Sequence, residues 1–394
     1  MQISQRQLFL QHVAQTSPAP LLLEIERAEG NYLYDIQGKK YLDLISGISV
    51  SNIGHRHPSV LAAIHAQLDK YMHLMVYGEY VQSPQVKLAS RLSEVIPGFE
   101  SFYFVNSGTE ATEGAIKLAR RFTGRKKLLS FKNAYHGSTT GALSLMSDPY
   151  FRGPFEPLLQ DTAFLEPEDY KSLDNITEET AAVFFEFIRA EVGAIPVSRE
   201  FAIALRQRCT EKGALLIADE IQTGFGRTGK LFSFQDYECM PDILLMAKGM
   251  GGGMPIGAFA ARKEIMSSLT HDPVLGHITT FGGHPVSCAA SLATLETILL
   301  MNPEKQAAEI ETIFRKKLVH RCIEGISGKG LLLAADLRTE SVNQKVIASC
   351  IRKGLITDWF LFAPHKLRIA PPLTLTTDEA NRACDIILEA CNEV

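Results

Sequence analysis

The sequence predicts an α/β protein with a mostly parallel central sheet, helices on both faces, and a smaller α/β domain. Three observations support this. Short apolar runs recur at Phe102–Asn106, Leu128–Phe131, Ala182–Phe187, Leu215–Ala218 and Ile243–Met246. They are continuous rather than alternating, as in strands buried on both faces. Between such runs lie helical patterns; in 108–122, Ala111, Ala115, Leu118 and Phe122 share one face. Glycines and polar residues cluster after the strands, at the sheet edge where open α/β proteins bind ligands.

The elements divide the chain into three parts. Residues 1–50 contain LYDIQGKKYLDLISG, read as a hairpin turning at Gln37-Gly38. This segment is expected to join the small domain or a dimer interface. A large domain is expected at 51–290. A long helix runs from Val286 to about Leu300, after Pro285. The small domain, 291–394, is read with strands at Gly330–Leu337 and Lys366–Ala370 and a last helix from Thr377.

Composition narrows the function classes. The chain has 394 residues, with 40 Lys+Arg against 44 Asp+Glu and a net charge of −4. This balance argues against nucleic-acid and membrane-surface partners. Hydrophobic residues make up 46%, enough for a large core rather than a disordered chain. The N-terminus lacks a basic start followed by an apolar stretch, and no run approaches the ~18 apolar residues of a membrane span. The seven cysteines form no CxxC pair and are odd in number. Neither a metal cluster nor a disulfide framework is expected, and the cytoplasm is the expected location.

The most informative stretches are LLIADEIQTGFGRTG at 215–229 and ILLMAKGMGGGMPIGA at 243–258. Asp219 and Lys248 each end an apolar strand beside glycine-rich turns. Alone, the aspartate reads as a turn cap and the lysine as a solvated strand end. Together at one sheet edge they suit an aldehyde cofactor: a rigid lysine forms a Schiff base, and a buried aspartate keeps a pyridine nitrogen protonated. NSGTEATEGAIKLARR at 106–121 follows a strand and opens a helix. It reads equally as an anion site and as a capping box of Ser107 with Glu110. NAYHGSTTGA at 133–142 follows another strand; alone, Tyr135 and His136 read as packing aromatics.

These motifs, from GHRHP at 54–58 to RIAPP at 368–372, resemble the class III pyridoxal-phosphate aminotransferases of fold type I. That family includes the acetylornithine, ornithine and 4-aminobutyrate enzymes. The resemblance implies that Lys248 holds pyridoxal 5'-phosphate as a covalent Schiff base. It implies that Asp219 meets the pyridine nitrogen and that Gln222 lies near the ring hydroxyl, with Glu220 in the same cofactor motif. Ser107, Gly108 and Thr109 match the phosphate loop. Tyr135 matches the aromatic that stacks on the ring, with His136 and Gly137 in its motif. In HITTFGGHP at 277–285, Thr280 matches a threonine that reaches the partner's cofactor phosphate, with Thr279 beside it. A homodimer with shared active sites is therefore implied.

At the substrate end, Arg368 precedes the rigid Pro371-Pro372 pair, and a fixed guanidinium suits a carboxylate. The resemblance gives it the α-carboxylate of glutamate and 2-oxoglutarate. Its movable partner would be Glu191, in EFIRAEVGA at 186–194. The chain departs from the family in two places. Ser138 stands where the ornithine and acetylornithine branches carry a carboxylate-binding arginine. The family's EPxQGE run reads EFIRAE, with Phe187, Arg189 and Ala190 in place of proline, glutamine and glycine.

The implied activity is ping-pong transfer of the distal amino group of an acetylornithine-, succinylornithine- or ornithine-type donor to 2-oxoglutarate. A 4-aminobutyrate or other ω-amine transaminase is the alternative donor class. A racemase or aminomutase using the same Lys and Asp, and a non-catalytic regulatory dimer, are further alternatives. A nicotinamide oxidoreductase is disfavoured, because no strand is followed by GxGxxG.

Overall fold

The computed structural model describes residues 3–394; residues 1–2 of the expected N-terminal segment lie outside the described residues. A seven-stranded sheet forms its centre, in the order Ser101–Val105, Gly257–Ala261, Ile243–Met246, Leu215–Asp219, Thr180–Phe185, Lys127–Phe131, Thr162–Leu165. Gly257–Ala261 pairs antiparallel with both neighbours, and the remaining pairings are parallel.

Burial explains the apolar runs. Val183, Leu216, Ala218, Leu244 and Met246 belong to one hydrophobic core. Ala182, Phe184, Leu215, Ile217, Ile243 and Leu245 belong to another. Successive side chains point to opposite faces, and both faces are covered. No polar alternation survives under those conditions.

Two expected strands end early. Asn106 leaves its strand because its backbone N–H and side-chain amide both donate to Glu110, at 2.6 and 2.9 Å. The run read as Ala182–Phe187 stops at Phe185, where pairing with Ala218 ends. Phe187 remains fully buried outside the strand. Thr162–Leu165 and Gly257–Ala261 were not anticipated. The second, GAFAA, is poor in strand-forming residues and is held by its two neighbours.

The helix Gly108–Thr123 starts at Ser107, whose hydroxyl accepts from Glu110 N at 3.3 Å, and ends at left-handed Gly124. The long helix spans Pro285–Met301 and the last helix Thr377–Asn392, capped by Thr376 and Glu379. The expected hairpin is Tyr32–Asp35 with Lys40–Asp43; Asp35 Oδ1 accepts from Gln37 N and Lys39 N. Lys40–Asp43 also pairs in parallel with Leu355–Ile356, so residues near both ends of the chain share one sheet. Leu42 and Leu44 share a core with Leu333, Leu355 and Leu367.

A second four-stranded sheet contains Gly325–Lys329, Leu332–Asp336, Ala363–Ile369 and Trp359–Phe360. The strand expected from Gly330 begins at Leu332, because Gly330 lies in the preceding turn at φ +61°. A Cβ there would fall 2.8 Å from Thr228 Cα, so only glycine fits that approach. Among the described residues, no single helix is long and apolar enough to cross a membrane. The adjoining helices Pro285–Met301 and Pro303–Lys317 meet that measure only together, with a 69° bend between them.

Candidate active site

Several strands deliver their following residues to one cavity of about 480 Å³. Ser101–Val105 leads to Ser107, Gly108 and Thr109. Lys127–Phe131 leads to Tyr135, His136 and Ser138. Thr180–Phe185 leads to Glu186, Leu215–Asp219 to Asp219 and Gln222, and Ile243–Met246 to Lys248. All of these residues line the cavity.

Asp219 is buried, and both carboxylate oxygens are engaged. Oδ1 accepts from Ile221 N at 3.0 Å, and Oδ2 lies 2.6 Å from His136 Nδ1. Burial pulls the His136 pKa down, but the hydrogen bond and charge of Asp219 win and leave it raised. His136 Nε2 has no partner.

Lys248 is held at φ +47°, in the left-handed region, at the end of its strand. Such backbone strain in a non-glycine residue persists only where surrounding structure enforces it. Its Nζ donates to Gln222 Oε1 at 3.2 Å, while the buried Gln222 Nε2 lacks a partner. Burial lowers the Lys248 pKa, against the opposing charges of Glu191 and Asp219. A neutral amine is correspondingly easier to reach.

Ser107, Gly108 and Thr109 open a sixteen-residue helix, whose first N–H groups lack intrahelical acceptors. Gly137 sits at φ +131° against Thr109, and a Cβ there would overlap the threonine side chain. Thr109 Oγ1 and Thr139 Oγ1 are 2.8 Å apart. Tyr135 OH meets Ser138 Oγ at 3.0 Å.

Arg368 and Glu191 are both buried and paired in a fork: Nη1 donates to Oε1 and Nη2 to Oε2, each at 3.0 Å. The Glu191 pKa is lowered despite burial because the guanidinium outweighs desolvation. Neither residue lines the large cavity in this arrangement.

The structure does not bring every expected residue to the cavity. Glu220 is a correction. It follows Asp219 and points the opposite way, accepting from Ser233 Oγ at 2.6 Å, Phe234 N at 2.8 Å and the Thr223 hydroxyl. Its carboxylate fastens the turn behind the strand. Thr280 is exposed and lines no cavity described here. Thr279 accepts from Asn106 Nδ2 at 3.1 Å and borders a separate hollow of about 280 Å³. Arg189 donates to Lys132 O at 3.2 Å and lies outside the large cavity.

Three residues were missed. Glu186 lines the cavity with Oε2 unpartnered, and burial pushes its pKa up to about 7. It heads the EFIRAE run, so its place in that motif was the available signal. Asp358 accepts from Arg368 Nε at 2.8 Å; nothing local marks it. Arg227, quoted inside GFGRTG, is fully buried and donates to Leu331 O at 2.9 Å, Pro371 O and Asn52. Burial lowers its pKa to about 9. Elsewhere, His320, Cys322 and Cys391 bring three donor atoms within 4.8 Å of one another. His320 Nδ1 there meets Cys322 Sγ at 2.9 Å and Nε2 meets Asn392 Oδ1 at 3.1 Å, so both ring nitrogens already have partners.

A doubly covered, mostly parallel sheet with a lysine, an aspartate and a helix start at one edge defines the fold type I class of pyridoxal-phosphate enzymes. Residues 13–391 match the family model for class-III aminotransferases, and the chain belongs to that family. It is 40% identical over 378 residues to acetylornithine aminotransferase of Archaeoglobus fulgidus, covering 96% of this chain and 97% of that one. It is 36% identical over 374 residues to the [LysW]-aminoadipate semialdehyde/glutamate semialdehyde transaminase of Sulfolobus acidocaldarius, covering 93% and 94%. A solved amine transaminase from an uncultivated Pseudomonas species, in its pyridoxal-phosphate-bound form, superposes with a TM-score of 0.90. That match has 28% identity and covers 97% of this chain and 98% of the other. The chain is a pyridoxal-phosphate-dependent transaminase that binds its cofactor through a lysine and acts on an amino-acid-like donor by a ping-pong mechanism.

Proposed function

We propose that Lys248 is the cofactor lysine and that the donor gives up a distal amino group to 2-oxoglutarate. One observation carries this reading: Lys248, two residues past the strand Ile243–Met246, and Asp219, the last residue of the neighbouring strand, face the same cavity. The cavity's groups fit pyridoxal phosphate. Asp219, held by His136 at 2.6 Å, suits a protonated pyridine nitrogen. The unpartnered Gln222 Nε2 suits the ring hydroxyl, and the first turn at Ser107–Thr109 suits the phosphate. When bound, the cofactor supplies an electron sink for the donor carbon.

The chain's own groups supply the rest. Lys248 Nζ, with its lowered pKa, takes and returns the donor-carbon proton. Tyr135 covers one ring face. Arg368 binds the acceptor carboxylate after Glu191 gives way, and with Glu191 in place it is neutralised for a donor lacking a carboxylate there. We read the protein as a homodimer in which Thr280, with Thr279 beside it, serves the partner's cofactor phosphate. Its exposed position next to exposed Ile278 and Phe281 supports this reading. Cytoplasmic location and domains at 51–290 and 291–394 belong to the same reading.

Acetylornithine-, succinylornithine- or ornithine-type donors are favoured by the acetylornithine relatives. A 4-aminobutyrate or other ω-amine donor is the second reading. Ser138 favours the ω-amines that lack a carboxylate, since Lys248 is the sole lysine or arginine side chain among the cavity-lining residues. A panel of amines with 2-oxoglutarate, followed by product identification, decides between them. Turnover of N-acetylornithine or N-succinylornithine above all ω-amines supports the first reading; preference for 4-aminobutyrate contradicts it.

A further inference from the structure

Arg368 has a second carboxylate partner besides Glu191. Asp358 Oδ1 accepts from Nε at 2.8 Å, and Trp359 O accepts from Nη2 at 2.9 Å. The Phe360 ring lies 4.3 Å from the guanidinium carbon. One cation thus faces two carboxylates, a carbonyl and an aromatic face.

These partners differ in attachment. Asp358 lies directly across a hairpin from Arg368: Arg368 N donates to Asp358 O at 2.9 Å, and Thr357 Oγ1 donates to Arg368 O at 2.7 Å. Trp359 and Phe360 belong to the strand paired with Ala363–Ile369, which carries Arg368. The backbone of Asp358 is therefore fixed relative to Arg368 by that pairing. Glu191 reaches Arg368 from a separate segment, the turn between Ile188–Arg189 and Ile195–Pro196, and meets the hairpin only at its turn, where its Oε2 accepts from Leu361 N at 2.9 Å and its backbone O from Phe362 N at 3.0 Å. Its side chain has one more rotatable bond.

The donors divide the same way. Asp358 holds Nε, whereas Glu191 occupies the Nη1–Nη2 edge, which is the edge that binds a carboxylate in a fork. We propose that Asp358 is the positioning residue of this site, fixing the guanidinium by Nε so that its Nη edge stays aimed at an incoming carboxylate when Glu191 departs. Without this anchor the arginine follows Glu191 or turns about its long stem, and a fork is lost for a small angular error. The inference rests on the reading of Arg368 as the acceptor-carboxylate site.

The test separates the two half-reactions in the cofactor-loaded enzyme. Asp358→Ala should raise KM for 2-oxoglutarate about tenfold, the cost of one lost charge-assisted hydrogen bond. Its kcat should stay near that of the parent. The first half-reaction with a monoamine lacking a carboxylate, followed by bleaching of the visible cofactor band, should be unchanged. Asp358→Asn should restore KM to within about threefold, since the amide oxygen still accepts from Nε–H. An Asp358→Ala enzyme with parental KM would overturn the proposal. So would equal slowing of both half-reactions, or failure of the asparagine to rescue, each of which marks a merely structural role. Arg368→Lys distinguishes the two levels. If it leaves the 2-oxoglutarate KM unchanged, the acceptor-site reading itself fails. If it raises KM while Asp358→Ala does not, only the anchor fails.

Discussion

Two buried arginines, Arg227 and Arg368, solve the same electrostatic problem differently. Arg368 answers desolvation with charge: Glu191 and Asp358 contact it, and its pKa is raised. Arg227 is the more deeply buried, yet its hydrogen-bond partners are all neutral, the carbonyls of Leu331 and Pro371 and the amide of Asn52. Only the more distant charge of Asp43 supports it, and its pKa is lowered. Arg227 ties three distant stretches of chain together with partners that do not exchange. Arg368 holds a carboxylate that, under the proposed function, the acceptor's carboxylate replaces. On that reading a charged partner marks the exchangeable site, and a set of carbonyls marks the staple.

The largest effect is on stability. Arg227→Ala strands two buried carbonyls and an amide, and should cost about 3–5 kcal/mol in denaturant unfolding. Arg368→Ala strands the Glu191 and Asp358 carboxylates and should also destabilise. Function separates the two: Arg368→Ala should raise KM for 2-oxoglutarate and glutamate about a hundredfold while sparing a monoamine donor, and the same KM rise in folded Arg227→Ala enzyme would erase the distinction.

Glu186 tests whether a third buried ionisable group, this time inside the cavity, behaves like either. Burial raises its pKa from 4.5 to about 7. A raised carboxyl binds more protons folded than unfolded, so its contribution is present below about pH 4.5. It is lost as pH rises through about 7. Glu186→Gln should therefore raise stability by about 3 kcal/mol at pH 8, with the gain falling below about 1 kcal/mol near pH 5. Thermal melts at both values check this; a pH-independent difference would contradict it. The smallest effect is at the exposed Ser138. Ser138→Ala removes one hydrogen bond to Tyr135 and should change stability by about 0.5 kcal/mol at most.

Most of the sheet was legible because its strands are buried on both faces and so are unbroken apolar runs. Gly257–Ala261 escaped because its residues are small: at Gly257 a Cβ would fall 2.7 Å from the Ser107 carbonyl carbon. Among candidate site residues, Asp219, Gln222, Lys248 and the Ser107–Thr109 loop were legible because each lies at a strand's end or within four residues of it, so one-dimensional order sets their place. Asp358 was not, because its meaning lies in a cross-strand contact to Arg368. Glu220 misled for a local reason. It shares a motif with Asp219 but, one residue on, faces Ser233.

The central claim is that Lys248 carries the cofactor and the proton. It is tested by loading the Lys248→Ala protein with pyridoxal phosphate, recording the visible spectrum, and adding an active donor with 2-oxoglutarate. The parent should show a cofactor band that survives gel filtration and bleaches with donor. The variant should lose that covalent band and at least about 10³-fold of its turnover. A variant with the parent's band and normal turnover would contradict the account.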